Sequence, residues 1–240
     1  EWLETLSHQT QRPVLFNLSQ TDFAPKLWED VLSKLEDAGT RGAPLYAQVA
    51  GRAIGIVMGW RLTAHPFVLH PSFEALSELP WEVQLERLKD DAFKKALCAE
   101  KPNERGVFEY YVTHSFDKMF PLNETGYEPA KEESIAAIAQ RQGRDPREVA
   151  YEYLMKDEGK GSLYFPLFNY SDGNLDLLQQ LHNHPLTHMG LSDGGAHCGA
   201  ICDGGMPTFM LTHWTRDRVH GARLPLEHIV HRQTQRTAQL

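Results

Sequence analysis

The chain has 240 residues, 41% of them hydrophobic and 23% charged, a balance that supplies a core and excludes an intrinsically disordered chain. A net charge of −8 with scattered Lys and Arg argues against nucleic acid as a partner, and no apolar run approaches the length of a membrane helix. Three cysteines are too few and odd in number for a disulfide framework, and no basic-then-apolar leader opens the sequence, so a soluble cytoplasmic protein is expected.

Pro13 to Ser19 reads as a buried strand, because a short apolar run is bounded by Arg12-Pro13 and by Gln20-Thr-Asp. A helix follows from about Pro25 to Ala38 and stops at Gly39, which tolerates the left-handed conformation that closes a helix. Pro44 to Val49 is the next strand, which completes a βαβ unit. From there the pattern changes. A Gly-rich loop (Gly51, Gly55, Gly59) leads to His65-Pro-Phe and to short helices near Ser72, from Trp81 to Lys89 and from Ala92 to Glu100. Two more helices, about Ser134 to Gln142 and Pro146 to Lys156, are separated by Gly143 and by Asp145 as an N-cap before Pro146. Residues 51–157 therefore read as a helical insertion.

Leu163 to Asn169 is apolar and aromatic, and Pro166 is expected to bend or end it. Asp172-Gly173-Asn174 turns into a helix that closes near His182, and Thr187 to Leu191 is a short strand. Helices of about Pro207 to Val219 and Leu226 to Ala238 finish the chain. Alternating strands and helices define an α/β protein, and with about four core strands instead of eight the chain reads as part of a (β/α)8 TIM-type barrel.

The strand at Thr187 delivers Ser192-Asp193-Gly194-Gly195-Ala196-His197. Asp193 then stands at the C-terminal end of a strand, where barrel enzymes place their chemistry, and the two glycines let the backbone turn sharply beside a ligand. A lone carboxylate there suits a metal or a travelling proton. The plainer alternative is a turn that caps the next segment. His197 either shapes the pocket or hydrogen-bonds a metal-bound water, against the alternative of packing beneath the turn. Arg52 and Arg216 are candidates to fork a substrate carboxylate, against the alternative of solvated surface charges. His182-Asn-His184-Pro-Leu-Thr-His188 has residue types for zinc, but Pro185 separates its histidines and the spacing argues against a site. Cys198 and Cys202 lack a second ligand pair and are expected as buried thiols lining the pocket.

Gly190-Leu-Ser-Asp-Gly-Gly-Ala-His197, the preceding Leu163 to Leu175 and the following Pro207-Thr-Phe-Met-Leu-Thr-His-Trp214 resemble the N-acyl-D-amino-acid deacylase (D-aminoacylase-like) branch of the amidohydrolase superfamily. Gln48-Val-Ala-Gly-Arg52 with Ile54-Gly55, and His65-Pro-Phe67, are similar to it as well, so the likeness runs over nearly the whole chain. The resemblance implies a deformed barrel whose metal ligands lie on the first, fifth and sixth strands and whose aspartate, matched by Asp193, lies on the eighth. It also implies one or two Zn2+ ions, with Asp193 both a ligand and the group that takes a proton from the attacking water and returns it to the leaving amine.

This sequence departs from that pattern in two places. No His-x-His precedes Pro13, so the resemblance implies that most zinc ligands and the N-terminal half of the barrel lie outside this chain, with a small β-domain beyond Leu240. The family's metal-binding histidine falls near Ser19-Gln20 and its carboxylate-binding lysine near Asp22, and neither residue type is present. Gln20 is therefore placed with Arg52, Ser192 and His197 among the substrate-binding candidates.

The expected function is hydrolysis of a linear carbon-nitrogen bond in a small N-acyl amino acid or related amide, with no membrane or nucleic-acid partner and with a homo-oligomer allowed. A non-catalytic barrel fragment that serves as a binding module is the alternative from another class. A cyclic-amide or carbamate hydrolase keeps the fold and changes the bond.

Overall fold

The computed structural model describes residues 1–103, 106–190, 194–195, 197–201 and 203–240. Its strands are β1 (Val14–Asn17), β2 (Leu45–Val49), β3 (Ile54–Met58), β4 (Phe120–Pro121), β5 (Leu163–Phe168) and β6 (Thr187–Met189). The chain divides into two compact units, one of Glu1–Ile54, Leu167–Ala196 and Cys202–Leu240, the other of Gly55–Pro166 and His197–Ile201. The fold is mixed α/β, and the described strands form two three-stranded sheets with no closed barrel among them.

In the first unit the sheet order is β1-β2-β6 and both pairings are parallel, with Asn17 beside Gln48 and Gln48 beside His188. The helix Leu27–Thr40 makes the crossover between β1 and β2, so the expected βαβ unit is present. Alternation along the strands sorts the side chains onto two faces. Val14, Phe16, Leu45, Ala47, Val49 and Met189 pack into an apolar cluster with Leu32, Leu35, Leu178, Leu181, Trp214 and Ile229 from the helices. Each fully buried leucine there contributes about 1.5–3 kcal/mol. The opposite face carries Leu15, Asn17, Tyr46, Gln48 and His188 and is the more polar one.

The helices that close the chain are shorter than the sequence implies. Met206–Thr212 gives way to a π-helical turn at His213–Asp217, and Leu226–Gln233 breaks at Thr234 (φ −123°, ψ −89°) before Gln235–Ala238. A helix Trp2–Thr10, unmarked by any strong sequence signal, precedes β1.

Beside the helices expected over residues 51–157, the second unit holds a sheet of order β3-β5-β4, with β3 and β4 inside those bounds. The Gly-rich stretch expected as a loop contains β3. Gly55 is needed there for space and not for a turn, since a Cβ at this position would come within 2.2 Å of the Tyr164 ring. Pro166 does not end β5, which runs on to Phe168. On the β4 side the ladder covers Leu163 and Tyr164, before the proline and its missing N–H.

Around the sheet of this unit stand helices Pro71–Ser77, Trp81–Leu88, Asp91–Ala99, Val107–His114, Ile135–Gln142 and Pro146–Gly159. The last has left helical geometry by Lys156, and the Asp145 carboxylate accepts the Arg147 N–H at 2.8 Å as its N-cap. Trp60 centres an aromatic cluster, stacked on Phe67 and Phe73 with ring centroids 5.4 and 5.5 Å away.

Each unit buries a neutral histidine. His65 meets the edge of Phe73 at 4.3 Å in the second unit, and His182 meets Trp214 at 5.7 Å in the first. Burial pushes both imidazoles down to about 3, reinforced by His70 for His65 and by Arg232 for His182. A depressed histidine binds its proton in the unfolded chain first, so stability is lost as pH falls below about 6.5 and continues to fall toward the folded value. Urea unfolding at pH 6.5 and pH 5, a window in which most carboxylates stay ionised, is expected to show about 2 kcal/mol lost per histidine. His182→Phe should remove its share, and a profile that is flat over this window would contradict the account.

Candidate functional site

The parallel strands of the first unit end on one edge, and the segments that follow β1, β2 and β6 carry the sequence candidates Gln20, Arg52 and Asp193. Ser192 and Asp193 lie outside the described residues; Gly194 and Gly195 lie within them.

Gln20 is buried and spent on the fold. Its Nε2 donates to Asp172 Oδ2 at 2.9 Å and to the Pro25 carbonyl at 3.2 Å, while its Oε1 accepts the Ser171 N–H at 3.1 Å. Its main chain exchanges hydrogen bonds with Asn169, whose side-chain oxygen accepts the Gln20 N–H at 2.8 Å and whose N–H reaches the Gln20 carbonyl at 3.0 Å. Next to it, Ser171 Oγ donates to Asp22 Oδ1 at 2.5 Å. The amide thus ties the end of β1 to the loop after β5. Gln20→Ala would leave the Asp172 carboxylate and the Ser171 N–H short of a partner, at an expected cost of about 1–3 kcal/mol. A urea midpoint equal to the parent's would show that the network carries no stability.

Arg52 is also buried. Its Nη2 lies 2.8 Å from Asp203 Oδ1, both side chains being under 5% exposed, and its guanidinium sits 5.9 Å from the Phe209 ring centroid. The loop that holds it is clamped from the following helix and π turn. The Gly51 N–H points at the Met206 sulfur at 3.0 Å, and Trp214 Nε1 donates to the Gly51 carbonyl at 2.7 Å. Only glycine fits at 51, because a Cβ there would lie 2.8 Å from Met206 Cγ and 2.9 Å from Met210 Cγ.

Asp203 is the site residue that the sequence reading overlooked, although a signal existed. Asp203-Gly204-Gly205 repeats Asp193-Gly194-Gly195. The two turns approach each other: a Cβ at Gly204 would lie 3.8 Å from the Gly194 Cα. Gly190, just after β6, packs far more closely on Gln48, where a Cβ would meet the Gln48 Cβ at 2.7 Å. The arrangement sets the Gly194 backbone beside the turn whose aspartate holds the buried arginine.

His197 belongs to the second unit, is exposed, and has φ +51°, while its carbonyl accepts the N–H groups of Ala200 and Ile201 at 2.8 Å. Its exposure does not fit packing beneath a turn. Cys198 is exposed as well, contrary to the expected buried thiol, and Cys202 is outside the described residues. Arg216 is exposed and pairs with Asp217 at 2.5 Å. Of the histidines near β6, His184 meets Glu36 at 2.9 Å and His188 lies edge-on to Tyr46.

Among the described residues no group of three or more His, Cys, Asp and Glu side chains could hold a metal ion, and both ends of the Gln20 amide are hydrogen-bonded within the fold. No helix among the described residues is long and apolar enough to cross a membrane.

Comparison with known proteins finds no matching family model, no similar curated protein and no similar solved structure.

Proposed function

We propose that the chain forms the C-terminal part of an amidohydrolase barrel and that the complete protein hydrolyses a linear amide in a small N-acyl amino acid in the cytoplasm. The observation that carries this reading is the parallel order β1-β2-β6, which suits three consecutive barrel strands, with the Asp193 segment following the last of them. Gly194, its chain neighbour, rests against the turn of the buried Arg52–Asp203 pair, which suits a loop held in one shape. In this reading Asp193 moves the proton between water and the leaving amine, and Arg52 acts through Asp203 as a positioning residue. Asp193 would be one ligand of a zinc ion in such a site, and the ion would supply an activated water.

A binding scaffold without catalysis is the second reading, favoured by Gln20 and Arg52 both being spent on internal contacts. The intact gene product separates the two. Bound metal is measured by mass spectrometry, and amine release is followed over N-acyl amino acids, cyclic amides and carbamates. Zinc at one or two equivalents with turnover of linear amides supports the hydrolase. Absence of both metal and turnover overturns it in favour of the scaffold, and turnover confined to cyclic amides or carbamates overturns the linear-amide assignment.

A further inference from the structure

On the more polar face of the parallel sheet, the Tyr46 and His188 rings meet edge to face, with centroids 5.0 Å apart. Beside them lies a cavity of about 80 Å³ lined by Tyr46, His188, Arg236, Gln239 and Leu240. This volume exceeds what one water molecule needs.

His188 is 4% exposed, and neither of its ring nitrogens has a hydrogen-bond partner. Buried imidazoles ordinarily spend at least one nitrogen, so this one is poised for a group that enters the cavity. The charges that act on it are both positive. Arg236 lines the cavity and donates from Nη2 to the Pro185 carbonyl, and Arg232 donates from Nη2 to the Thr187 carbonyl and hydroxyl at 3.0 Å. Among the described residues no Asp or Glu side chain lines the cavity.

We propose that this cavity is a binding site for a small carboxylate ion, held between the Arg236 guanidinium and the N–H of the His188 imidazole. A carboxylate has two oxygens for the two donors, and its charge offsets that of the arginines. Burial, with Arg236 and Arg232, pushes His188 down to about 4, so near neutral pH it presents one N–H and one lone pair. Tyr46 supplies an apolar wall for the short carbon chain. The residues that line it do not include Asp203 or Arg52.

The test uses the intact protein labelled with 15N-histidine at pH 7, titrated with sodium acetate against sodium chloride at matched ionic strength. The His188 ring resonances, assigned by their disappearance in His188→Gln, should shift saturably with acetate and not with chloride. Arg236→Gln should weaken binding at least about tenfold, equivalent to about 1.4 kcal/mol, and Arg236→Lys should fall between the two. A linear, non-saturating shift, or equal affinity in Arg236→Gln, would overturn the site. Inorganic phosphate that saturates the same resonances as tightly as acetate would overturn its assignment to carboxylates. If His188→Gln fails to fold, the arginine variants are read by calorimetry with the same expected ratios.

Discussion

Asp203→Ala is expected to lower the unfolding free energy of the first unit by about 3–5 kcal/mol. The carboxylate it removes lies 2.8 Å from Arg52, and both side chains are almost wholly removed from solvent. Taking two charges out of water is costly, and their mutual attraction offsets that cost only while both are present. Deleting one leaves a buried guanidinium whose positive charge is no longer balanced by Asp203. The complementary expectation concerns the pair. Arg52→Met with Asp203→Leu removes both charges and keeps apolar volume, so the double variant should recover most of what the single loses. Urea unfolding followed by near-ultraviolet circular dichroism checks both. A single variant within 1 kcal/mol of the parent, on the scale of an exposed pair, would show that the arginine is solvated in solution.

Asp193→Asn is expected to reduce amide turnover by about 10²–10⁴-fold in the intact protein, equivalent to about 3–5 kcal/mol in activation free energy. Asparagine keeps the size of the side chain and the ability to form an Asx turn, so the Asp-Gly-Gly geometry should survive. What it loses is the capacity to accept and return a proton. The loss should therefore appear mainly in kcat, with KM little changed, and the unfolding midpoint should stay near that of the parent. Undiminished kcat in a folded variant would refute the assignment of Asp193. A fall in stability equal to the fall in activity would instead make the residue a turn former.

Local signals were legible in the sequence because their physics is local. The βαβ unit follows from apolar runs around a helix, although that helix runs through Gly39 to Thr40 and the left-handed glycine is Gly42 (φ +82°), and the Asp145 cap follows from a carboxylate two residues before an N–H that needs a partner. Strand β3 was hidden because Gly55 reads as a loop former, whereas the close approach of Tyr164 across the sheet explains it. The helix Val107–His114 was hidden for a related reason. Phe108, Tyr111 and Val112 keep the i, i+3, i+4 spacing, but the apolar Val107 and Tyr110 beside them blur a single face, and Val107, Phe108 and Tyr110 are exposed.

The candidate site was legible as a set of segments and not as a set of contacts. Gln20, Arg52 and the Asp193 segment do follow strands of one sheet. What each of the first two does depends on residues distant in the chain, Asp172 for Gln20 and Asp203 for Arg52, and no spacing rule announces either partner. The repeated Asp-Gly-Gly was the one clue in view. Composition favours reading such a tripeptide as a turn, and only the buried arginine shows why the second copy also needs its carboxylate.

The Met206 sulfur that receives the Gly51 N–H gives the first unit a chemical clock. This thioether is 1% exposed, so peroxide can reach it only when the helix Met206–Thr212 lifts from the loop after β2. The rate of Met206 sulfoxide formation, read by peptide mass spectrometry, therefore counts those openings. The sulfoxide carries an added oxygen, bulkier and more polar than the thioether, so its formation is expected to weaken the packing of Met206 on Gly51.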